Sequence, residues 1–466
     1  MPAEQTGGES GPLDLLVPQR VHIVGIGGAG MSAIAVILKE MGHTVSGSDL
    51  KDSAVTQRLR ARGIEVAIGH AGENVGDAAV VTSSPAVTPD NPELQAARAR
   101  GVPVLPRSEM LAAICATRRC LAVAGTHGKT TTASMLSLIL VEAGMRPSFV
   151  IGADVNEIGS NAAWDTGDWL VVEADESYGT FRALRPDLAV LTSVEPDHLD
   201  YYGTFGALRD AFAAFVAQAG DGAVVCADDP EAAAIGRDTG ARSVGMDDQA
   251  DYRIDALEQS RSSVSFTLSG PDGELGPLRV GVPGIHNARN AAVAAVAALR
   301  AGAPYAAAQA ALERFAGVTR RFEFRGEGNG VTFVDDYAHL PGEVRVALAT
   351  AKAGGWARVV AVFQPHRFTR TAALADQFGT AFSAADALVV TDVYSAGEPA
   401  VPGVSGRLVV DAVRAQDPQL PVTYAPGWDE LRRVVAGLLR PGDLCLTLGA
   451  GDLTTLPDEL LESPEW

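Results

Sequence analysis

The sequence predicts an α/β protein of three domains, each built on an open and mostly parallel sheet. Three observations carry that expectation. A length of 466 residues exceeds what one hydrophobic core normally supports. Apolar strand-like runs alternate with helix-length stretches, the pattern of βαβ units. The pattern also resets twice, near residues 103–120 and again near "GVTRRFEFRG", which sets expected domains at 1–110, 111–316 and 317–466.

Composition narrows the function. With 47% hydrophobic and 20% charged residues the chain reads as ordinary globular protein. Its net charge of −20 repels nucleic acid and anionic lipid surfaces, so neither is expected as the main partner. An anionic substrate must then be held by local cations. The first twenty residues lack a basic start followed by an apolar stretch, and no later run suits a bilayer span, so a cytoplasmic protein with no membrane insertion is expected. Cys115, Cys120, Cys226 and Cys445 show no C-x-x-C spacing and read as buried thiols. Lysine occurs only at 39, 51, 129 and 352 against a background of arginine. A compact ammonium that arginine cannot replace is a reason for Lys129 to persist.

The first segment opens with the strand "VHIVGIGGAG", enters the helix-like "MSAIAVILKEMG", and returns as the strand "HTVSGSD". Gly25, Gly27 and Gly30 match G-x-G-x-x-G, with Gly28 inside the motif and Asp49 about twenty residues on, as the dinucleotide fingerprint requires. Such glycines let a diphosphate approach the backbone and aim a helix N-terminus at its charge. The competing reading is a tight turn with no ligand.

The second segment begins at the strand "LAVAG" and runs into "GTHGKTTT". The phosphate-loop pattern G-x-x-x-x-G-K-[ST] puts its leading glycine at Val123, so the generic match is incomplete. Gly125, Gly128, Lys129 and Thr130 nevertheless supply inward N–H groups, an ammonium for phosphates and a hydroxyl for Mg²⁺. Two more apolar strands end in acids: "WLVVEADES" in Glu173, Asp175 and Glu176, and "LAVLTSVEPDHLD" in Glu195, Asp197, His198 and Asp200. Open α/β sheets bind ligands at such C-terminal edges. An Ala-rich helix follows "PGIHNARN". The third segment repeats the scheme with "VTFVDDYAH", "RVVAVFQPH", "ALVVTDVY" and "DLCLTLGAGD". Two diphosphate-type sites are one more than a simple dehydrogenase needs, and suggest an enzyme joining two nucleotide-bearing or phosphorylated reactants.

Taken in order, "HIVGIGGAGMSAIAVILKEMGHTVSGSD", "GTHGKTTT", "EADES", "EPDHLDYYGTF", "PGIHNARNAAVAAVAAL", "GVTRRFEF", "VDDYAH", "FQPHRFTRT", "DVYSAGE" and "LGAGD" resemble the Mur ligases of peptidoglycan synthesis across nearly the whole chain. The loop beginning at Gly125 is that family's own form. The resemblance implies an N-terminal Rossmann-like UDP-binding domain, a central P-loop-type ATPase domain and a C-terminal Rossmann-like domain that closes over the cleft. It also implies ATP-driven activation of the carboxylate of UDP-N-acetylmuramic acid and attack by the amine of L-alanine.

Carried over residue by residue, the resemblance places ATP on Gly125, Thr126, His127, Gly128, Lys129, Thr130 and Thr131, with Asn287, Asn290, Arg321 and Asp336. Mg²⁺, or Mn²⁺ in its place, would sit on Thr130, Glu173 and His198. The catalytic set would be Lys129, Glu173, His198 and Arg321. The UDP-sugar would lie on Gly25, Gly27, Gly28, Gly30, Asp49 and Ser84, with His127 near the reacting carboxylate. Tyr337, His339, His366, Arg367 and Arg370 would receive L-alanine, the two arginines sharing a helical face. From residue chemistry alone, His198 reads equally as a histidine bonded within its own turn through Asp197 or Asp200, since Mg²⁺ prefers oxygen. The two asparagines read as helix-surface amides, and Arg320 and Asp335 stand close enough to exchange roles with Arg321 and Asp336. Leu340, Gly342 and Tyr178 depart from the family pattern on the amino-acid and metal sides. "YYGTFGALRDAFAAF" has no lysine for the carbamylation some relatives use. A ligase for a preformed murein tripeptide, an NAD-dependent oxidoreductase and a non-catalytic UDP-sugar binder are the alternatives.

Overall fold

The computed structural model describes residues 13–463, apart from the side chains of Ala29, Tyr178 and Asp200. Three sheets follow one another along the chain. The first contains β1 (Arg20–Val24), β2 (Thr44–Asp49), β3 (Glu65–Ile68), β4 (Val80–Ser83) and β5 (Val104–Pro106), all parallel in the order β3-β2-β1-β4-β5. Val21, Ile23 and Val24 are buried, as expected for a parallel strand covered on both faces. Strand order reverses at β1, so the turns after β1 and β4 diverge and leave a crevice holding Gly25–Gly30 and Ser84.

The second sheet adds β6 (Arg119–Ala124), β7 (Ser148–Val155), β8 (Ser160–Ala163), β9 (Trp169–Glu173), β10 (Leu188–Leu191), β11 (Ala223–Cys226) and β12 (Arg242–Gly245), in the order β12-β11-β10-β6-β9-β7-β8. Only β8 among these runs antiparallel to its neighbour. β6 is flanked by β9 and β10, so the three strands whose ends carry acids or the lysine loop stand side by side. β13 (Tyr252–Gln259), β14 (Val264–Gly270) and β15 (Gly273–Val280) continue the chain. These three strands and β8 are not foreseen by the sequence reading, because their residues alternate in burial or stay half-exposed and leave no apolar run.

The third sheet is β16 (Glu323–Gly328), β17 (Val331–Asp336), β18 (Arg358–Phe363), β19 (Ala387–Val390), β20 (Val422–Tyr424) and β21 (Asp443–Leu448), in the order β16-β17-β21-β18-β19-β20. β16 is the antiparallel edge. The four strands expected from the sequence, β17, β18, β19 and β21, are its centre.

The chain forms two compact units. Among the described residues, one comprises 13–255, 268–276 and 289–312; the other comprises 256–267, 277–288 and 313–463. The first unit contains two sheets because one apolar core runs through both: Ile23, Ile34 and Leu38 connect through Met110 and Ile114 to Cys120, Ala122, Leu170 and Val172. Each of the isoleucine, leucine, valine and methionine side chains contributes about 1.5–3 kcal/mol on burial. All four cysteines are free and buried, as expected. No helix among the described residues is long and apolar enough to cross a membrane.

Candidate active site

In the first unit, β6 ends at Ala124 and the helix Lys129–Glu142 starts after a four-residue turn. Gly125 has φ +134°, and a Cβ there would lie 2.1 Å from Thr192 Oγ1, so the turn packs against the end of β10 in a way only glycine permits. Gly128 has φ +80° and abuts Asn290, whose Oδ1 would be 2.6 Å from an added Cβ. Val123 is a buried strand residue, paired with Val190 and Glu173. The position a generic pattern would make glycine is therefore part of the sheet.

Lys129 Nζ donates to the carbonyl of Gly125 at 2.6 Å and lies 2.8 Å from Glu176 Oε2, with the two side chains 13% and 2% exposed. Burial pulls the ammonium pKa down, but Glu176, Asp175 and Glu173 outweigh it and the net shift is upward. Glu176 is shifted up by its burial against the pull of Lys129. Asp175, its side chain 34% exposed, is shifted down because Lys129, Ser177 and Arg107 overcome the desolvation. Thr130 Oγ1 donates to Glu173 Oε1 at 2.9 Å, and Glu173 Oε2 accepts from Gly152 N at 2.6 Å. A hydroxyl and a carboxylate thus meet beside the lysine, an oxygen donor pair suited to Mg²⁺.

His198 adopts φ +51° and its N–H donates to Asp197 Oδ1 at 2.8 Å. Its ring stands with Glu176 and Asp197, the donor atoms of all three lying within 4.8 Å of one another. The in-turn reading through Asp197 thus has a counterpart in the fold, while Asp200 and Tyr178 have side chains outside the described residues. Thr126 and His127 anchor to the end of β10 through Ser193 and Glu195, with His127 Nε2 3.3 Å from Glu195 Oε2. Thr131 is buried in the first turn of the helix.

In the crevice of the first sheet, Gly25 has φ +76° and packs on Ser84. Gly27 N donates to Asp49 Oδ2 at 2.8 Å, so the acid of the fingerprint secures the turn itself. Gly28 caps the helix Ala29–Glu40 without a side-chain bond, and Gly30 lies under Arg107. Behind the crevice, fully buried Glu93 accepts from Ser48 and Asn74 and contacts His22. Burial acts to raise its pKa, yet these hydrogen bonds hold it down at about 2. The sequence reading missed this network; its members are scattered over 71 residues with no motif.

The second unit gathers Tyr337, His339, His366 and Arg370. The His339 ring sits 5.4 Å from Tyr337 and 5.6 Å from His366, and His366 stacks on Tyr394 at 5.7 Å. Arg370 donates to His366 Nδ1 at 3.2 Å. Burial, His339, Arg370 and Arg367 push His366 down to about 3, and burial likewise lowers His339. The pair is therefore neutral beside two guanidinium groups. The expected common helical face of Arg367 and Arg370 is corrected: Arg367 has φ +69° and precedes the helix Phe368–Phe378, because its N–H is tied to Tyr394 O. Its Nε is buried with no partner among the described residues.

Arg320 and Arg321 separate clearly. Arg320 donates to Asp335 and to the carbonyls of Gly449 and Gly451, while Asp335, 1% exposed, also accepts from Thr447 and Thr454. Arg321 is 36% exposed and only 3.9 Å from Glu343. Asp336 accepts from the N–H groups of Phe322 and Ala338, and burial raises its pKa to about 6. Leu340 is buried at the start of the helix Pro341–Ala353, whose Glu343 accepts from His339 N and Leu340 N. Asn287 donates Nδ2 to Pro283 O at 2.6 Å.

A lysine loop flanked by acid-tipped strands, following a separate glycine-turn sheet, is the arrangement of a nucleotide-dependent ligase, and the chain belongs to the Mur ligase family. The Mur ligase family catalytic domain matches residues 20–119, the Mur ligase middle domain 123–298, and the Mur ligase glutamate ligase domain 320–451. The UDP-N-acetylmuramate–L-alanine ligase of Anaeromyxobacter dehalogenans is 46% identical over 446 residues, covering 95% of this chain and 97% of that protein. The Rhizobium meliloti enzyme of the same name is 43% identical, covering 95% and 97%. Among solved structures, UDP-N-acetylmuramate-alanine ligase from Thermotoga maritima superposes with a TM-score of 0.81 at 29% identity, covering 95% of this chain and 98% of that one.

Proposed function

We propose that this chain is an ATP-dependent ligase that joins L-alanine to the carboxylate of UDP-N-acetylmuramic acid, a step of peptidoglycan precursor synthesis. The observation that carries the reading is the buried Lys129 in its glycine turn, beside Thr130 and Glu173, in a chain 46% identical to a ligase of that name. A carboxylate is a poor electrophile and repels the γ-phosphate. One of its oxygens attacks the γ-phosphorus, ADP leaves, and an acyl phosphate forms. The amine of L-alanine then attacks the acyl carbon, phosphate departs with the former carboxylate oxygen, and the amine gives up a proton.

Lys129 meets the β- and γ-phosphates over a turn formed by Gly125–Gly128, with Arg321 as a further guanidinium and Asp336 as acceptor for the ribose. Asn287 and Asn290 serve adenine recognition. Thr130 and Glu173 would hold Mg²⁺ (or Mn²⁺), with His198 adjoining, and a cation there would supply neutralisation of phosphate charge. The UDP-sugar takes Gly25–Gly30, Asp49 and Ser84, with His127 towards its carboxylate, and L-alanine takes Tyr337, His339, His366, Arg367 and Arg370. These assignments follow domains at 1–110, 111–316 and 317–466. ATP and a nucleotide-activated sugar as co-substrates put the reaction in the cytoplasm.

Phosphate release from ATP, measured with UDP-N-acetylmuramate and each of L-alanine, glycine, L-serine and murein tripeptide, tests the reading. L-Alanine should give the highest kcat/KM. Preference for the tripeptide would assign the chain to the neighbouring reaction, and absence of ATP turnover with every amine would reject ligase chemistry.

A further inference from the structure

The helix Arg107–Cys115 begins directly after β5, and its first residue belongs by sequence to neither glycine turn. In the fold Arg107 stands between them. On one side its NH1 lies 2.7 Å from where a Cβ on Gly30 would be, so the guanidinium rests on the bare α-carbon in the first turn of the helix Ala29–Glu40. On the other side its NH2 donates to Asp175 Oδ2 at 2.9 Å. Asp175 also accepts from Ser177 N and Oγ, and the next residue, Glu176, holds Lys129. The Arg107 side chain is 20% exposed, and its Nε is buried with no partner among the described residues.

Charge makes this placement informative. The protein carries −20 overall, and the stretch from Gly25 to Leu38 contains no lysine or arginine. A diphosphate in the crevice of the first sheet would find backbone N–H groups but no cation from its own turn. Asp175 takes an N–H of Arg107 NH2, and NH1 faces Gly30 in the first turn of the helix Ala29–Glu40. A guanidinium there suits phosphate oxygens, to which it donates charge-assisted hydrogen bonds. Gly30 then has a reason distinct from the dinucleotide motif: any side chain there would displace the arginine.

We propose that Arg107 is the cation that receives the diphosphate of the UDP-sugar, held in register by Asp175 and by the absence of a side chain at Gly30. The inference rests on the ligase reading above and adds a binding residue to it. It also gives the two glycine turns a direct physical link, since the group that holds the sugar nucleotide is tied to the acids surrounding Lys129.

The test compares the full-length enzyme with Arg107→Ala, Arg107→Lys and Gly30→Ala, after thermal melts establish that each is folded. Inhibition constants for UDP and for uridine, and KM for UDP-N-acetylmuramate and for ATP, are the readouts. Loss of a charge-assisted contact should weaken UDP and raise the UDP-sugar KM about 10- to 100-fold in Arg107→Ala. Uridine inhibition and the KM for ATP should stay within about twofold, as the lost contact is to phosphate alone. Arg107→Lys should recover part of the loss, and Gly30→Ala should reproduce it. UDP inhibition unchanged in Arg107→Ala, equal losses for uridine and UDP, or a rise confined to the KM for ATP would each overturn the proposal. Failure of the wild-type enzyme to bind UDP or to turn over would instead remove the ligase reading on which it rests.

Discussion

Replacing Lys129 by Met should separate what the lysine does for the fold from what it does for the reaction. The ammonium and Glu176 form a pair 2.8 Å apart whose side chains are 13% and 2% exposed, so solvent screens them little. Removing one partner of such a pair leaves the other charge buried, a loss of about 3–5 kcal/mol. Glu176→Gln in the same chain removes the stranded carboxylate, and replacing both partners by neutral groups is often close to neutral for stability, so the double variant should regain most of that loss. Urea unfolding of the wild type, both single variants and the double variant yields the coupling energy. Turnover should follow a different course. With no ammonium to meet the phosphates, kcat should fall about a hundredfold or more in Lys129→Met and stay low in the double variant. Wild-type stability in Lys129→Met would refute the buried-pair argument. Recovery of turnover in the double variant would show that Lys129 is not the phosphate-binding cation.

Three further outcomes are expected. Gly125→Ala must place a Cβ 2.1 Å from Thr192 Oγ1 at φ +134°, a strain of roughly 1–3 kcal/mol before the clash is relieved, so ATP-dependent phosphate release should collapse; normal release would contradict the assigned loop geometry. Arg320→Ala strands buried Asp335 and should cost about 3–5 kcal/mol in urea unfolding, whereas Arg321→Ala, at a side chain 36% exposed and 3.9 Å from its acid, should cost under about 1 kcal/mol and lose turnover instead; the reverse pattern would exchange their roles. Glu93, held at about 2 against an ordinary 4.5, contributes stability that is present above pH 4.5 and lost as pH falls towards 2. That difference corresponds to about 3 kcal/mol, so the stability gap between wild type and Glu93→Gln should be widest near neutrality and close in acid; a gap independent of pH would refute it.

Much of the site was legible in the sequence because its parts are contiguous. A strand, a glycine turn and a helix start fall within a dozen residues at "LAVAGTHGKTTT", and local spacing alone says that N–H groups, an ammonium and a hydroxyl converge there. The same holds for Gly25–Gly30 and for the central strands of each sheet, whose burial on both faces demands unbroken apolar runs. Strands β8 and β13–β15 left no such run, although each pairs with the strand beside it in the chain, because their residues alternate in burial or stay half-exposed.

What only the tertiary structure decided is which of several chemically equivalent residues each group meets. Arg320 and Arg321 are adjacent and identical in type, yet one is locked onto Asp335 and three backbone carbonyls while the other remains available. Glu176 and Glu173 close the same apolar run, but one pairs with the lysine and the other with Thr130. Arg107 carries no motif, and its place between two glycine turns arises from a helix that shares one core with both sheets. Sequence determines chemistry available along the chain; the partner of a charge is settled by packing, because burial and distance govern electrostatic strength and neither is a local property.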